Sequence, residues 1–323
     1  MTRMSGPSSP DRRSFMTAIA AGALAAPSVS HAAETAALPT IKIGKYDVSR
    51  LIAGYNPIGG YSHSVPKLSA LMKDWFTLER TIEYVRSCER NGINTWQAGI
   101  DKKCFSALRS AWDSGSKMRW ICLMPDVDAA QWKEVLDLKP VAVVHHGENT
   151  DRLFRSGEEG KIRDFIRKAH DYGVLAGISS HRPLNITRAD DSHWEQDFYM
   201  TCFHEIRRDQ DKVQAGLGDL PVDELYLQGD PARMAAVVRK ISRPCLAFKI
   251  LAAGRACTNR ESLDQAFAFA FSNIKKTDAV IVGMFPILTD EIAEDAPWPS
   301  STPARSGRAG PKSQDTRGTS RGH

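Results

Sequence analysis

The 323 residues include 43 basic and 38 acidic side chains, for a net charge of +5, with 42% of positions apolar and 25% charged. That composition is globular: it excludes a wholly disordered chain, and the length supplies one large hydrophobic core or two small ones. The excess charge belongs to the ends, where Arg305, Arg308, Lys312, Arg317 and Arg321 oppose Asp315 and where Arg3, Arg12 and Arg13 oppose Asp11. About −1 is left for everything between, so the basic balance makes no case for a nucleic-acid partner.

In chain order, the first segment is DRRSFMTAIAAGALAAPSVSHAAE. Paired arginines, Phe15, a short Ala-rich run and a small-residue site at Ser30-His31-Ala32 follow in the order of an export signal. Residues 1–33 thus resemble a twin-arginine leader, which implies passage through twin-arginine export machinery, a periplasmic or secreted location, and often a cofactor loaded before export. The apolar run Met16–Ala26 is shorter than the roughly 20 residues a span needs, so no stable membrane anchor is expected.

TIKIGKYDVSRLIAG then predicts a two-stranded plug, Ile41–Val48, ahead of a first core strand at Arg50–Gly54. A helix at Leu78–Asn91, stopped by Gly92, precedes a strand at Ile93–Gln97. Helix Phe105–Asp113, strand Arg119–Met124, helix Ala129–Leu136 and strand Val141–His146 follow. Helix Glu159–Tyr172 leads to strand Val174–Ser179, and a weaker turn near Trp194 to strand Phe198–Cys202. Helix Pro231–Ile241, strand Cys245–Leu251, helix Ser262–Ile274 and strand Ala279–Val282 complete the alternation. Eight strands, mostly separated by helices, in about 250 residues predict a (β/α)8 TIM barrel with a short N-terminal β plug over residues 40–295. An open doubly wound sheet would place a Gly-rich phosphate turn after its first strand, and GYNPIGGYSHS lacks G-x-G-x-x-G. Residues 296–323, rich in Pro, Gly, Ser and Arg, are expected to be a disordered basic tail. The six cysteines form no C-x-x-C, and most fall in helix or strand patterns as small buried hydrophobes.

The C-terminal ends of barrel strands form the active face. Reading those ends assembles candidates: Asn56 and Tyr61 after the first strand, Trp96, Gln97 and Asp101 at the second, Met124 and Asp126 at the third. His145 and His146 end the fourth, Ser179 and His181 the fifth, Cys202 and His204 the sixth, Lys249 and Arg255 the seventh. Clustered imidazoles suit proton transfer at neutral pH or coordination of a transition metal. Alternation along a strand lets only one of His145 and His146 face the mouth. Lys249 interrupts the apolar LAFKILAAGR, and a buried ammonium calls for a carboxylate, a ligand or a reacting carbonyl.

The stretches VSRLIAGYNPIGGYSH, NGINTWQAG, VAVVHHG, GVLAGISSH and DAVIVGMFPILTDEIAED resemble the aldo/keto reductase superfamily along most of the barrel. The resemblance implies NADP or NAD, a small sugar-like carbonyl substrate, and His146 at the family histidine. It also implies a degenerate site. Gln97 stands in the place of the family aspartate, the tyrosine's place falls near Lys102, and Met124 stands near the lysine's. Three readings follow. The first is an oxidoreductase whose proton relay uses His146 and Lys249 with Gln97 and Asp101, its substrate bound by Asn56, Tyr61, Trp96, His181 and Arg255. The second is a metal-dependent lyase, isomerase or hydrolase with a divalent ion on His146, His181 and His204 or Cys202. The third is a non-catalytic sugar-binding barrel using Trp96, Tyr61 and Gln97.

Overall fold

A computed structural model describes residues 38–125 and 128–300. The expected leader, Asp126 and the tail beyond residue 300 lie outside the described residues.

Strands β1 (Thr40–Ile43) and β2 (Tyr46–Ser49) pair antiparallel as a separate hairpin. Its tight turn uses Gly44 at φ +55°, a left-handed backbone that glycine adopts without a Cβ penalty. Eight parallel strands then close a barrel: β3 (Leu51–Ala53), β4 (Thr95–Gly99), β5 (Arg119–Met124), β6 (Ala142–His145), β7 (Leu175–Ser180), β8 (Phe198–Cys202), β9 (Cys245–Phe248) and β10 (Ala279–Val282). They lie in sequence order, and β10 pairs with β3 to complete the ring. The chain is therefore a (β/α)8 TIM barrel with an N-terminal hairpin.

The expected helices are present as α3 (Leu78–Arg90), α4 (Lys102–Asp113), α5 (Ala129–Asp137), α7 (Gly160–Asp171), α10 (Asp230–Val238) and α11 (Arg260–Asn273). Several begin on side-chain caps: Thr77 accepts from the Arg80 N–H, Asp101 from Lys103 and Cys104, and Asp128 and Asn259 form capping boxes. Others form where the sequence pattern predicts no helix. The stretch after β3 folds into α1 (Asn56–Gly59) and α2 (Pro66–Trp75), and α6 (Gly147–Ser156) starts directly after His146. Helix α8 (Pro183–Asp191) precedes the expected turn near Trp194, which falls at residues 192–193, and α9 (Gln210–Leu217) lies in the long segment after β8. These helices are short and rich in Gly, Asn, Asp or Pro, residues that also mark turns. A last helix, α12 (Glu291–Asp295), precedes Trp298, whose ring stacks on Phe267 at 5.5 Å. The packed unit therefore reaches Ser300, beyond the boundary expected at 295. The strand expected over Cys245–Leu251 stops at Phe248, because Lys249 turns to φ +57°.

The period-2 alternation of the strands sorts the core into two clusters. Ile52, Ile121, Ala142, Val144, Phe198, Met200, Leu246, Ala279 and Ile281 fill the lumen, closed from below by Ile41, Ile43 and Val48 of the hairpin. Their neighbours, Leu51, Trp96, Trp120, Cys122, Met124, Val143, Tyr199 and Val280 among them, face the helices. This register corrects two expectations. Trp96 is fully buried against the helix layer and cannot stack on a ligand, and Met124 likewise points outward, leaving Leu123 at the mouth. Cys88, Cys104, Cys122, Cys202 and Cys245 are buried and Cys257 half-buried, none paired. Among the described residues no helix is long and apolar enough to cross a membrane.

Truncating Trp96 to alanine should lower stability by about 3–5 kcal/mol in urea unfolding, as for other large-to-small core changes. Ligand affinity of the folded variant should be unchanged. A selective loss of affinity at full stability would restore Trp96 to the site.

Candidate functional site at the barrel mouth

At the C-terminal ends of the strands lies a cavity of about 380 Å3, a volume suited to a small molecule. Its walls include Tyr55, Asn56, Tyr61 and His63 after β3, Gln97 of β4, Leu123 of β5, and His146 and Glu148 after β6. Ser179 and His181 come from β7 and its end, Met200 and Arg207 from β8 and its loop, and Phe248 and Lys249 from β9.

The two adjacent histidines take different roles. His145 is the last residue of β6 and faces outward, its Nδ1 2.7 Å from the Thr150 hydroxyl and its ring against Phe165. His146 caps α6, its Nδ1 accepting the Glu148 N–H at 3.3 Å, which leaves the proton of the neutral ring on Nε2. Burial is the main cause that lowers the His146 pKa, with the neighbouring His181 adding to it. Asp151, one turn into α6, is a buried acceptor. It receives the Ser180 hydroxyl, the Asn185 amide, the backbone N–H of His181 and, at 2.8 Å, the Nδ1–H of the His181 ring. Although burial pushes the Asp151 carboxyl up, these hydrogen bonds outweigh it and hold the pKa below its ordinary value. In the neutral His181 ring this arrangement puts the lone pair on Nε2. One imidazole is set to donate and the other to accept.

Lys249 lies just past β9 in a left-handed backbone that a lysine rarely adopts. Its Nζ is buried and has no hydrogen-bond partner among the described residues. Burial, aided by Arg207 and Arg255 against the opposing pull of Cys202 and Glu224, lowers its pKa from 10.5 to about 8. The Cys202 thiol is itself pushed up to about 12 by burial and stays neutral. Two more wall residues keep buried donors without acceptors, the Gln97 Nε2 and the Arg207 Nε.

A lid spans the mouth. Glu224, from the segment after β8, accepts from the His63 ring at 3.0 Å and from the Tyr226 hydroxyl at 3.0 Å. Burial opposes its ionisation, but His63 and Lys249 draw its pKa from 4.5 down to about 2. Arg255 donates to the His63 carbonyl at 3.0 Å and lies over the Tyr226 ring at 4.2 Å. Arg182 grips Asp209 with two bonds of 2.8 and 2.9 Å, and Arg208 pairs with Asp230, so the base of the lid is tied to the barrel.

Of the sequence candidates, Asn56, Tyr61, Gln97, His146, His181 and Lys249 come together around the cavity. Asp101 instead caps α4 and accepts the Tyr55 hydroxyl at 3.0 Å from behind the wall. Arg255 braces the lid. His204 sits against Tyr226, with Nδ1 3.8 Å from Asp230, off the cavity wall. The expected metal set of His146, His181 and His204 is therefore not assembled, and among the described residues no group of three or more His, Cys, Asp or Glu has metal-holding geometry. Tyr55 lies at the first strand's end as the sequence implies, whereas Asp151, Arg207 and Glu224 are site residues that the strand-end pattern does not mark. Asp151 alone had a usable signal, since it follows the two histidines within one turn.

No protein-family model matches the chain. No curated protein matches it either. Solved structures do. An aldo-keto reductase from Bacillus halodurans, in its holo form, superposes with a TM-score of 0.51 at 11% identity, over 82% of this chain and 91% of that one. The glycerol dehydrogenase from Gluconobacter oxydans gives 0.44 at 11% identity over 80% and 94%. A truncated 3-deoxy-D-arabino-heptulosonate 7-phosphate synthase from Thermotoga maritima gives 0.46 at 12% over 82% and 90%. At such identities the likeness is one of fold, a TIM barrel shared with aldo-keto reductases and with other barrel enzymes.

The Lys249 pKa makes a stability prediction. Below pH 8 both folded and unfolded lysine carry the proton, so the folded state bears the full penalty of about 3 kcal/mol that a drop from 10.5 to about 8 represents. Between pH 8 and 10.5 the folded lysine is neutral while the unfolded one is not, and the penalty fades. Lys249→Met should therefore unfold at higher urea than the parent at pH 7 by up to about that amount, with the gap closing toward pH 10.5. A destabilised variant at pH 7 would mean that Lys249 has a stabilising partner.

Proposed function

We propose that this protein is an enzyme that takes a small, sugar-like carbonyl compound into the barrel mouth and moves protons with Lys249, His146 and His181. The observation that carries the reading is the set of buried donors on the cavity wall that lack acceptors among the described residues: the Lys249 Nζ, the Gln97 Nε2 and the Arg207 Nε, the outer nitrogen of that guanidinium pairing with Glu148. Leaving a buried donor unpaired costs about 1–3 kcal/mol, more for a charge, and an oxygen-rich ligand would remove that penalty. The two imidazoles supply what the carbonyl then needs. His146 presents an N–H toward a developing alkoxide, and His181, oriented by Asp151, presents a lone pair to a hydroxyl or an α-proton. Tyr61 stands exposed at the rim, where a sugar ring would enter.

An oxidoreductase of the aldo/keto reductase type is the redox form of this reading. The fold resemblance supports it; a phenol also lies on the cavity wall, Tyr55, from a different strand than the resemblance implied, but its hydroxyl is committed to Asp101. It would add NADP or NAD. The residues present do not fit the dinucleotide's pyrophosphate at the last strand. The Phe285 N–H there already donates to the Glu291 carboxylate at 2.6 Å, and the groups beside it are acidic, burial with Glu291 and Glu294 pushing the Asp295 pKa up to about 8. The cavity's cations, Lys249 and Arg207, come from β9 and the β8 loop. The leader's export route, and with it a periplasmic or secreted site of action, belongs to the same proposal and rests on residues 1–33 of the sequence.

Screening the purified protein against aldoses, ketoses and their keto derivatives by nuclear magnetic resonance should reveal turnover of one class, with His146→Asn and Lys249→Met slower by about 100- to 10,000-fold. Fluorescence titration with NADH and NADPH should show no saturation in the micromolar range. Saturable binding would establish the redox form and require Glu291 to release Phe285, while absence of turnover across the carbonyl set would sink the enzymatic reading.

A further inference from the structure

We infer that Lys249 is a covalent catalyst: its Nζ forms an imine with the carbonyl carbon of the ligand held in the barrel mouth. The inference rests on the proposed function above and names the bond through which the site would act.

The argument starts from position. Most buried lysines either snorkel to water or pair with a carboxylate. Lys249 does neither, since its Nζ is buried with no partner among the described residues. The carboxylate nearest in electrostatic effect, Glu224, is already committed to the His63 ring and the Tyr226 hydroxyl. The thiol of Cys202 is neutral. Among the described residues no acceptor holds the amine as a hydrogen-bonded pair; burial outweighs the pull of Cys202 and Glu224 toward the charged form, and two guanidinium groups, Arg207 and Arg255, disfavour that charge further. The backbone is also shaped for the purpose. The strand breaks at Lys249 with φ +57°, and Ala252 and Ala253 take φ +51° and +52°, three left-handed non-glycine residues within five positions. Such strain persists where the surroundings enforce it and is concentrated at functional sites.

The chemistry balances with groups on the wall. The neutral amine adds its lone pair to the carbonyl carbon, the C=O π pair moves to oxygen, and the His181 Nε2 carries a proton from the new ammonium nitrogen to that oxygen while the His146 N–H hydrogen-bonds it. With a proton taken up from solvent through His181, the hydroxyl of the carbinolamine then departs as water as the nitrogen lone pair forms the C=N bond. The iminium nitrogen returns one proton to solvent. The sum is amine plus carbonyl giving imine plus water, with no oxidant or reductant. A lysine whose amine is neutral for an appreciable fraction of the time near pH 8 is the form that this addition requires. The lumen beneath, lined by Leu123, Met200, Phe248 and Ile281, limits the water available for the reverse hydrolysis. The ligand class is an aldehyde or ketone bearing hydroxyl groups, which Gln97 and Arg207 would meet.

The test uses the full chain and two probes, dihydroxyacetone and glycolaldehyde. Each is equilibrated with the protein, pulsed with borohydride, and the protein is analysed by intact mass and peptide mapping, with saturation-transfer resonance run on the same mixtures. The expected result is a single adduct of probe mass less one oxygen on the peptide holding Lys249, with trapping that increases about tenfold from pH 6.5 to 8. Trapping spread over surface lysines with none enriched at Lys249 would overturn the imine. If saturation transfer still shows the probes bound, that failure touches the covalent step alone; if neither probe binds nor is trapped, the imine and the carbonyl-binding reading fall together.

Discussion

Closure of the barrel is the constraint on which everything else depends. Because β10 pairs with β3, every strand residue must face either the lumen or the helices, and neither place has water to satisfy a polar group. The lumen is accordingly filled with Ile, Val, Phe, Leu and Met, and the hairpin stoppers its lower end with Ile41, Ile43 and Val48. Polar chemistry is thereby forced to the strand ends, and the cavity lies at the open end of the same lumen. The buried donors at the mouth are tolerated only because the remainder of the core is so uniformly apolar.

That constraint also explains what the sequence revealed and what it hid. The strands could be read because fully covered strands are short apolar runs between turn residues, and Lys249 stood out because it breaks one of them. Alternation separates His145, turned toward Thr150 and Phe165, from His146 at the mouth. The same rule separates Trp96 from Gln97: with Gln97 at the cavity, the preceding indole has to point to the helices. Arg207 and Glu224 were beyond such reasoning. They belong to a segment between β8 and α10 without apolar periodicity, where residues are placed by ion pairs such as Arg182 with Asp209 and Arg208 with Asp230. Asp151 was obscured because GENTD reads as turn residues, although His146 caps it into a helix.

The loss of three expected reductase positions looks different once side chains are placed. Tyr55, from the first barrel strand's end, reaches the wall and hydrogen-bonds Asp101, and burial together with that carboxylate raises its pKa above the ordinary phenol value. Its proton is turned toward Asp101 and held there. A hydrogen bond to a ligand oxygen consequently falls to other donors on the wall, and the Nε2–H of the neutral His146 ring is one. A barrel can exchange the strand that supplies an acid without changing its fold, since all eight strand ends converge on one mouth.

The lid and the lysine are electrostatically one system. Glu224 is the anion that Lys249 feels most among carboxylates, yet its oxygens are spent on His63 and Tyr226, and Arg255 fastens the same loop to the His63 carbonyl. Were Glu224 to release His63 and swing inward, it would neutralise Lys249 as a paired cation and end its reactivity as an amine. Keeping the carboxylate in the lid holds it close enough to bias the site and too committed to quench it. The left-handed turn at Lys249 fixes the other side of that balance, because it takes the side chain off the regular strand alternation. An unpaired lysine, a spent carboxylate and a strained turn are thus a single arrangement, each part of which would be unfavourable without the others.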